Sequence, residues 1–208
     1  FLSALRNMDA DYIVIDLGAG TSYNTVDFFL LADIQLMVVI PEPTSIENAY
    51  RFIKNSFFRQ VFDNSKNFGL KSVVTPILRI DNPYNITTPK TLIDYFNKLG
   101  GSKTVFIEEQ LQIFMPKIIL NQVRTEKDKL VGLAMKDACS KYFNINMTFL
   151  GYISEDESVW KSVLNRKPLA VASPDSVPMQ QLKTICSDIL LKETELTSKN
   201  NLLSKLAQ

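Results

Sequence analysis

The sequence predicts an α/β fold, a doubly wound and mostly parallel sheet. Its apolar runs are short and continuous, not alternating, as strands covered on both faces require. They also alternate with segments of helical period, the order expected of βαβ winding. Residues 12–16 (Tyr-Ile-Val-Ile-Asp) form the first expected strand, 25–32 a helix, 35–40 the second strand, and 45–62 a helix. Residues 71–78 make a third expected strand, 117–123 a fourth and 149–153 a fifth, with helices over 126–143 and 158–166. The opening residues, Phe1 to Met8, already carry helix-like apolar spacing before any cap occurs.

Between residues 81 and 116 the pattern changes. Asp81-Asn-Pro-Tyr-Asn opens a turn, Thr88-Pro89 has the form of a helix start, and Gly100-Gly101 closes the helix that follows. This reads as an inserted helical pair, with Phe96, Phe106, Ile107, Leu111, Ile113 and Phe114 to pack on the main body or on a partner. The main domain spans 1–192 and a tail spans 193–208. In the tail region Leu190, Leu191, Leu196, Leu202, Leu203 and Leu206, with Lys199 and Lys205, have the makings of an amphipathic surface helix or of a segment that docks on its own core.

Composition narrows the chemistry. Of 208 residues 46% are hydrophobic, enough for one sizeable core, and 23 Lys plus Arg balance 22 Asp plus Glu. No global field draws the chain to nucleic acid or an anionic bilayer, so no specific nucleic acid is expected. The apolar stretch 28–40 is interrupted by Asp33 and Gln35 and falls short of the roughly 20 residues that span a bilayer. Cys139 and Cys186 lack metal-ligand spacing and read as reduced thiols of a cytoplasmic protein. Histidine is absent, which removes His-based triads and most zinc catalysis.

Ligands in open α/β sheets bind at the carboxyl ends of strands, so the residues after each strand matter most. After the first come Asp16, Gly18, Ala19 and Gly20; after the second, Pro41-Glu42-Pro43-Thr44; after the fourth, Asn121-Gln-Val-Arg124; after the fifth, Ser154-Glu155-Asp156-Glu157-Ser158. Together they outline one crevice. A carboxylate at a strand end followed by glycines suits phosphate chemistry, because backbone N–H groups can approach an anion where no side chain intervenes. Asp16 can equally cap the next turn. Pro41 and Pro43 can merely stop a strand and lead into a helix capped by Thr44 or Ser45. The Asn121 amide can end its strand or pair with an adenine edge. Glu155, Asp156 and Glu157 read as a solvated helix start favoured by the helix dipole.

Taken in order, residues 11–21 (Asp-Tyr-Ile-Val-Ile-Asp-Leu-Gly-Ala-Gly-Thr), 41–52 (Pro-Glu-Pro-Thr-Ser-Ile-Glu-Asn-Ala-Tyr-Arg-Phe), 119–124 (Ile-Leu-Asn-Gln-Val-Arg) and 151–159 (Gly-Tyr-Ile-Ser-Glu-Asp-Glu-Ser-Val), with Pro168, resemble the MinD/ParA family of deviant P-loop ATPases. The flagellar-number regulators FlhG and FleN are the nearest branch. The resemblance implies that Asp16 is the Walker B aspartate holding magnesium through water, and that Gly18, Ala19 and Gly20 form the switch loop sensing the γ-phosphate. It further implies that Asn121 recognises adenine, with Glu42, Arg124 and Ser154 completing the nucleotide set. ATP and magnesium are the implied cofactors. An ATP-dependent homodimer, a regulatory protein partner and a peripheral membrane contact are the implied associations, and cell positioning or flagellar number the implied role.

The family's Gly-Lys-Gly-Gly-x-Gly-Lys-Ser/Thr loop is expected about a hundred residues before Asp16. Only 15 residues precede it here, and the loop occurs nowhere else in the sequence. The chain therefore reads as the carboxyl-terminal part of such a domain, without the first strand, phosphate loop and first helix, and inactive as an ATPase by itself. Ser154 also stands where the family often has proline. Two other readings stay open: a non-catalytic pseudo-ATPase module, and a fragment of an actin- or Hsp70-type ATPase, whose first phosphate motif Asp16-Leu-Gly-Ala-Gly-Thr21 also resembles. The latter requires a hairpin strand after Thr21, whereas the sequence there has the pattern of a helix.

Overall fold

The computed structural model describes residues 8–20, 22–79 and 81–190. Among these, three strands form one parallel sheet: β1 (Leu36–Val39), β2 (Lys117–Val123) and β3 (Thr148–Ser154), in the order β1-β2-β3. The register pairs Leu36 with Lys117 and Val39 with Leu120, then Lys117 with Thr148 and Leu120 with Tyr152. Parallel neighbours need long crossovers, and the helices supply them.

Helix α1 (Tyr23–Leu31) starts at Ser22, whose hydroxyl accepts from the Thr25 N–H. It packs on α2 (Pro43–Ser65) through Phe29 against Phe52, and the Arg59 guanidinium donates to both Asp27 oxygens at 3.0 and 3.3 Å. Proline at the first position of α2 costs nothing there, because that N–H has no acceptor within a helix. Glu42, and neither Thr44 nor Ser45, occupies the N-cap; the Ser45 hydroxyl instead accepts from the Ile40 N–H.

The expected insertion is present as α4 (Pro89–Leu99) and α5 (Ser102–Ile113), turning at Gly100 and Gly101, both with positive φ. Thr88 and Thr91 form a reciprocal capping box at the start of α4. Phe96, Phe106, Ile107 and Phe114 are fully buried, so the pair joins the main core; Ile113 remains exposed. Gln60 and Asn64 of α2 donate side-chain amides to Gln110 of α5, at 2.9 Å to its carbonyl and 2.6 Å to its Oε1.

On one sheet face, Met37, Val39, Ile118 and Leu120 pack with Ile53, Phe57 and Val61 of α2 and with Met135 of α6 (Glu126–Ala138). Helix α6 continues into one wide turn, Cys139–Phe143. On the other face, Ile119 and Leu150 meet Ile185 of a helix over 177–190, here α9. Between β3 and α9 lie α7 (Glu157–Leu164) and α8 (Leu169–Ala172). Helices thus cover both faces at β2 and β3. At β1 the second face is bare: Val38 is 60% exposed, and β1 has no strand on its outer edge among the described residues.

Two expected strands are not strands. Residues 71–78 form α3 (Lys71–Val74) and a 3₁₀ turn (Thr75–Leu78). Leu70, Val74 and Ile77 are buried at helical spacing, and Pro76 lacks the N–H that a central strand must donate. Residues 12–16 run without sheet pairing, and Val14 is 92% exposed. Strand structure is a hydrogen-bonding relation, and nothing among the described residues pairs with them. The expected helix at Phe1 to Met8 and the tail 193–208 fall, but for Met8, outside the described residues, as does Thr21.

Candidate functional site

The carboxyl ends of β1 and β2 open into a cleft of about 230 Å³ lined by Ile40, Pro41, Glu42, Gln122, Arg124, Thr125 and Asp128. Each lining residue is held there by a local rule. Ile40 and Pro41 end β1, and the turn is closed by the Glu42 N–H donating to the Ile40 carbonyl at 2.7 Å. Thr125 caps α6, its hydroxyl accepting from the Asp128 N–H at 3.2 Å while the Asp128 carboxylate accepts from the Thr125 and Arg124 N–H groups at 2.8 and 3.0 Å. Those backbone donors at Arg124 and Thr125 hold the Asp128 carboxyl below its ordinary range.

A bulge shapes the end of β2. Leu120 pairs with Tyr152 and Val123 with Ser154, so β2 uses one more residue than β3 over the same span. The surplus is absorbed at Gln122, whose φ of 56° is left-handed and which lines the cleft. The Asn121 Oδ1 accepts from the Gln122 N–H at 2.9 Å, and its Nδ2 makes no hydrogen bond among the described residues.

Arg124 reaches across to β3. Its Nε and Nη2 donate to the two Glu155 oxygens, and the Glu155 N–H donates to the Val123 carbonyl at 3.0 Å. The bonded Glu155 carboxylate raises the guanidinium above its ordinary value, and Glu42 and Asp128 add to the effect. Glu155 is thus an ion-pair partner, and Asp156 is the N-cap of α7, its carboxylate accepting from the Ser158 N–H at 2.8 Å. Ser154 is occupied by α9: its N–H donates to the Gln181 Oε1 at 2.8 Å, and its hydroxyl accepts from the Gln181 Nε2 at 2.9 Å.

The structure therefore brings Glu42, Arg124 and Glu155 together, with Asn121 and Ser154 beside them on β2 and β3. Asp16, Gly18, Ala19 and Gly20 are exposed, and none of them lines the cleft. Leu17 packs on the core and fixes the segment next to Asp16. An added Cβ at Gly18 or Gly20 would meet nothing within 4 Å, and Gly20 has a φ of 130°, so the loop backbone lies open for approach. Among the described residues no group of three or more Asp, Glu, Cys or His side chains is arranged to hold a metal ion, so Asp16 would hold one only with ligands from elsewhere.

Sequence reasoning missed Gln122, Thr125, Asp128 and Gln181. Thr125-Glu-Lys-Asp128 carried a legible signal in its capping spacing. Gln122 carried none, since its role comes from a register shift between two strands. No helix among the described residues is long and apolar enough to cross a membrane. Comparison with profiles of known protein families and with curated proteins finds no match.

Proposed function

We propose that this chain is part of a MinD/ParA-type, P-loop-like ATPase domain, a nucleotide-dependent dimerisation switch, doubly wound when complete. The cleft carries the reading. Its lining carries Arg124 with Glu42 and Asp128, and Arg124 is already bonded to Glu155, so the cleft repels a triphosphate but accommodates a neutral base edge. The free Nδ2 of Asn121 lies one residue from it. Phosphates then belong at the open Gly18 to Gly20 loop.

The bareness of β1 supports the same reading. A parallel sheet is stable with both faces covered and its edges protected, yet Val38 and Leu36 are exposed and Tyr12 to Ile15 have no pairing partner among the described residues. A further strand beside β1 with a helix over Val38 would satisfy both, and a strand–phosphate-loop–helix unit has that shape. In the completed site Asp16 would help to hold magnesium, the loop glycines would sense the γ-phosphate, and Asn121 would read adenine. The metal supplies charge neutralisation of the transferring phosphoryl group. After Gly20 the chain enters helix α1 and then a strand parallel to β2, not the hairpin an actin-like continuation requires. Cytoplasmic location, a regulatory partner and a flagellar or positioning role follow from the family resemblance.

The test is magnesium-dependent ATP binding and turnover by the whole encoding reading frame, by its Asp16→Ala form, and by the 208-residue chain. Binding and turnover are expected for the first alone. Turnover by the 208-residue chain, or equal activity with Asp16→Ala, overturns the proposal, and a whole reading frame without a lysine-bearing phosphate loop transfers the case to a non-catalytic module.

A further inference from the structure

Helix α7 carries its apolar stripe outward. Trp160, Val163 and Leu164 are 60, 70 and 61% exposed and lie at i, i+3 and i+4, with Val159 at the margin of the same face. Ser162 is the buried residue of the helix, and Ser158, one turn before it, shares that inward face. A surface helix ordinarily does the reverse, burying its large apolar side chains and exposing serine. Charge is divided along the same helix. Asp156 and Glu157 stand at its start, whereas Arg166 and Lys167 follow its end, exposed and without an ion-pair partner among the described residues. Glu157 binds Lys161 at 3.0 Å along one flank of the stripe.

We propose that α7 is the docking surface for a second copy of this chain, the two helices crossing antiparallel about a two-fold axis between Lys161 and Ser162. A two-fold contact must be complementary to itself, which few surface helices are. This one is. In that register Trp160 meets the second copy's Val163, Val159 meets its Leu164, Glu157 meets its Arg166, and Asp156 meets its Lys167. An anionic bilayer would attract the basic end but repel Asp156 and Glu157 at the other. The contact uses neither the cleft nor the glycine loop, so it forms without nucleotide, is separate from the nucleotide-dependent pairing proposed above, and does not rest on the ATPase reading.

Sedimentation equilibrium of the 208-residue chain over a concentration series, without nucleotide, tests this. The wild type is expected to dimerise, and Trp160→Ser to weaken dimerisation about a hundredfold, as loss of a central aromatic anchor does. Glu157→Arg and Arg166→Glu each place like charges in contact twice per dimer and weaken it about tenfold. Combining them exchanges the signs and restores near-wild-type association. Circular dichroism verifies that each variant is folded. A chain that stays monomeric at every soluble concentration overturns the proposal. So does association that Trp160→Ser or the single reversals leave unchanged, or a double variant no stronger than either single one. Monomeric chain that sediments with phosphatidylserine vesicles, and ceases to do so as Trp160→Ser, assigns the face to a bilayer and also overturns it.

Discussion

Replacing Gln122 tests whether the β2 bulge is a strained feature of the site. Its φ of 56° lies where an L-residue suffers contact between Cβ and the following carbonyl, a cost of roughly 1–2 kcal/mol. Glycine escapes that cost but gives back roughly 0.5–1 kcal/mol through the greater freedom of its unfolded chain. Gln122→Gly is therefore expected to be stabilising by about 0.5 kcal/mol. Valine, the better strand former, adds a branched Cβ at a left-handed position, and Gln122→Val is expected to cost about 2 kcal/mol. The two variants then differ by about 2.5 kcal/mol. With a urea dependence of about 2 kcal/mol per molar, their unfolding midpoints separate by roughly 1.2 M. Urea unfolding followed by far-UV circular dichroism measures this directly. The exposure of the side chain helps, since packing contributes little to the difference. If valine is as stable as glycine, position 122 is an ordinary strand position, and the geometry assigned to the cleft floor is wrong.

Two further outcomes are expected. A Cβ on Gly132 of α6 would fall 2.2 Å from the Phe149 ring, so Gly132→Ala should destabilise by about 1–3 kcal/mol in the same unfolding assay, and adding Phe149→Leu should recover part of the loss. Burial pushes the Cys139 thiol up to about 12, while Cys186 is exposed. In the native protein an alkylating reagent should modify Cys186 rapidly and Cys139 only after unfolding. Because the folded thiol keeps its proton after the unfolded one has lost it, the contribution is whole below the ordinary thiol range and is lost as pH rises towards 12. Cys139→Ala should flatten that alkaline decline, which burial of Tyr50 steepens in the same direction.

The parts of the fold legible in the sequence are those whose causes are local. Thr88 and Thr125 announce their helices by capping spacing, Gly100 and Gly101 end one helix and begin the next, and the apolar run 117–123 coincides with β2. The grouping of Glu42, Arg124 and Glu155 was legible too, because residues at the carboxyl ends of adjacent parallel strands are neighbours. Residues 71–78 were misread because a Val-Val run is ambiguous over eight residues until Leu70, Val74 and Ile77 are seen buried together.

By itself, then, the sequence determined the α/β class, the strands at residues 36–39, 117–123 and 148–154 with the helices that join them, and the strand ends at which a site can form. These follow from backbone sterics, capping and periodicity, which act over a few residues. Tertiary structure alone decided that Tyr12 to Ile15 find no sheet partner among the described residues, that Gln122 takes a left-handed conformation, that Ser154 is bound by Gln181, and that α7 presents Trp160 to solvent. Each of those depends on what lies alongside. A strand needs a neighbour for its hydrogen bonds, a bulge needs a mismatched partner, and the buried side of a helix is set by the surface it lies against.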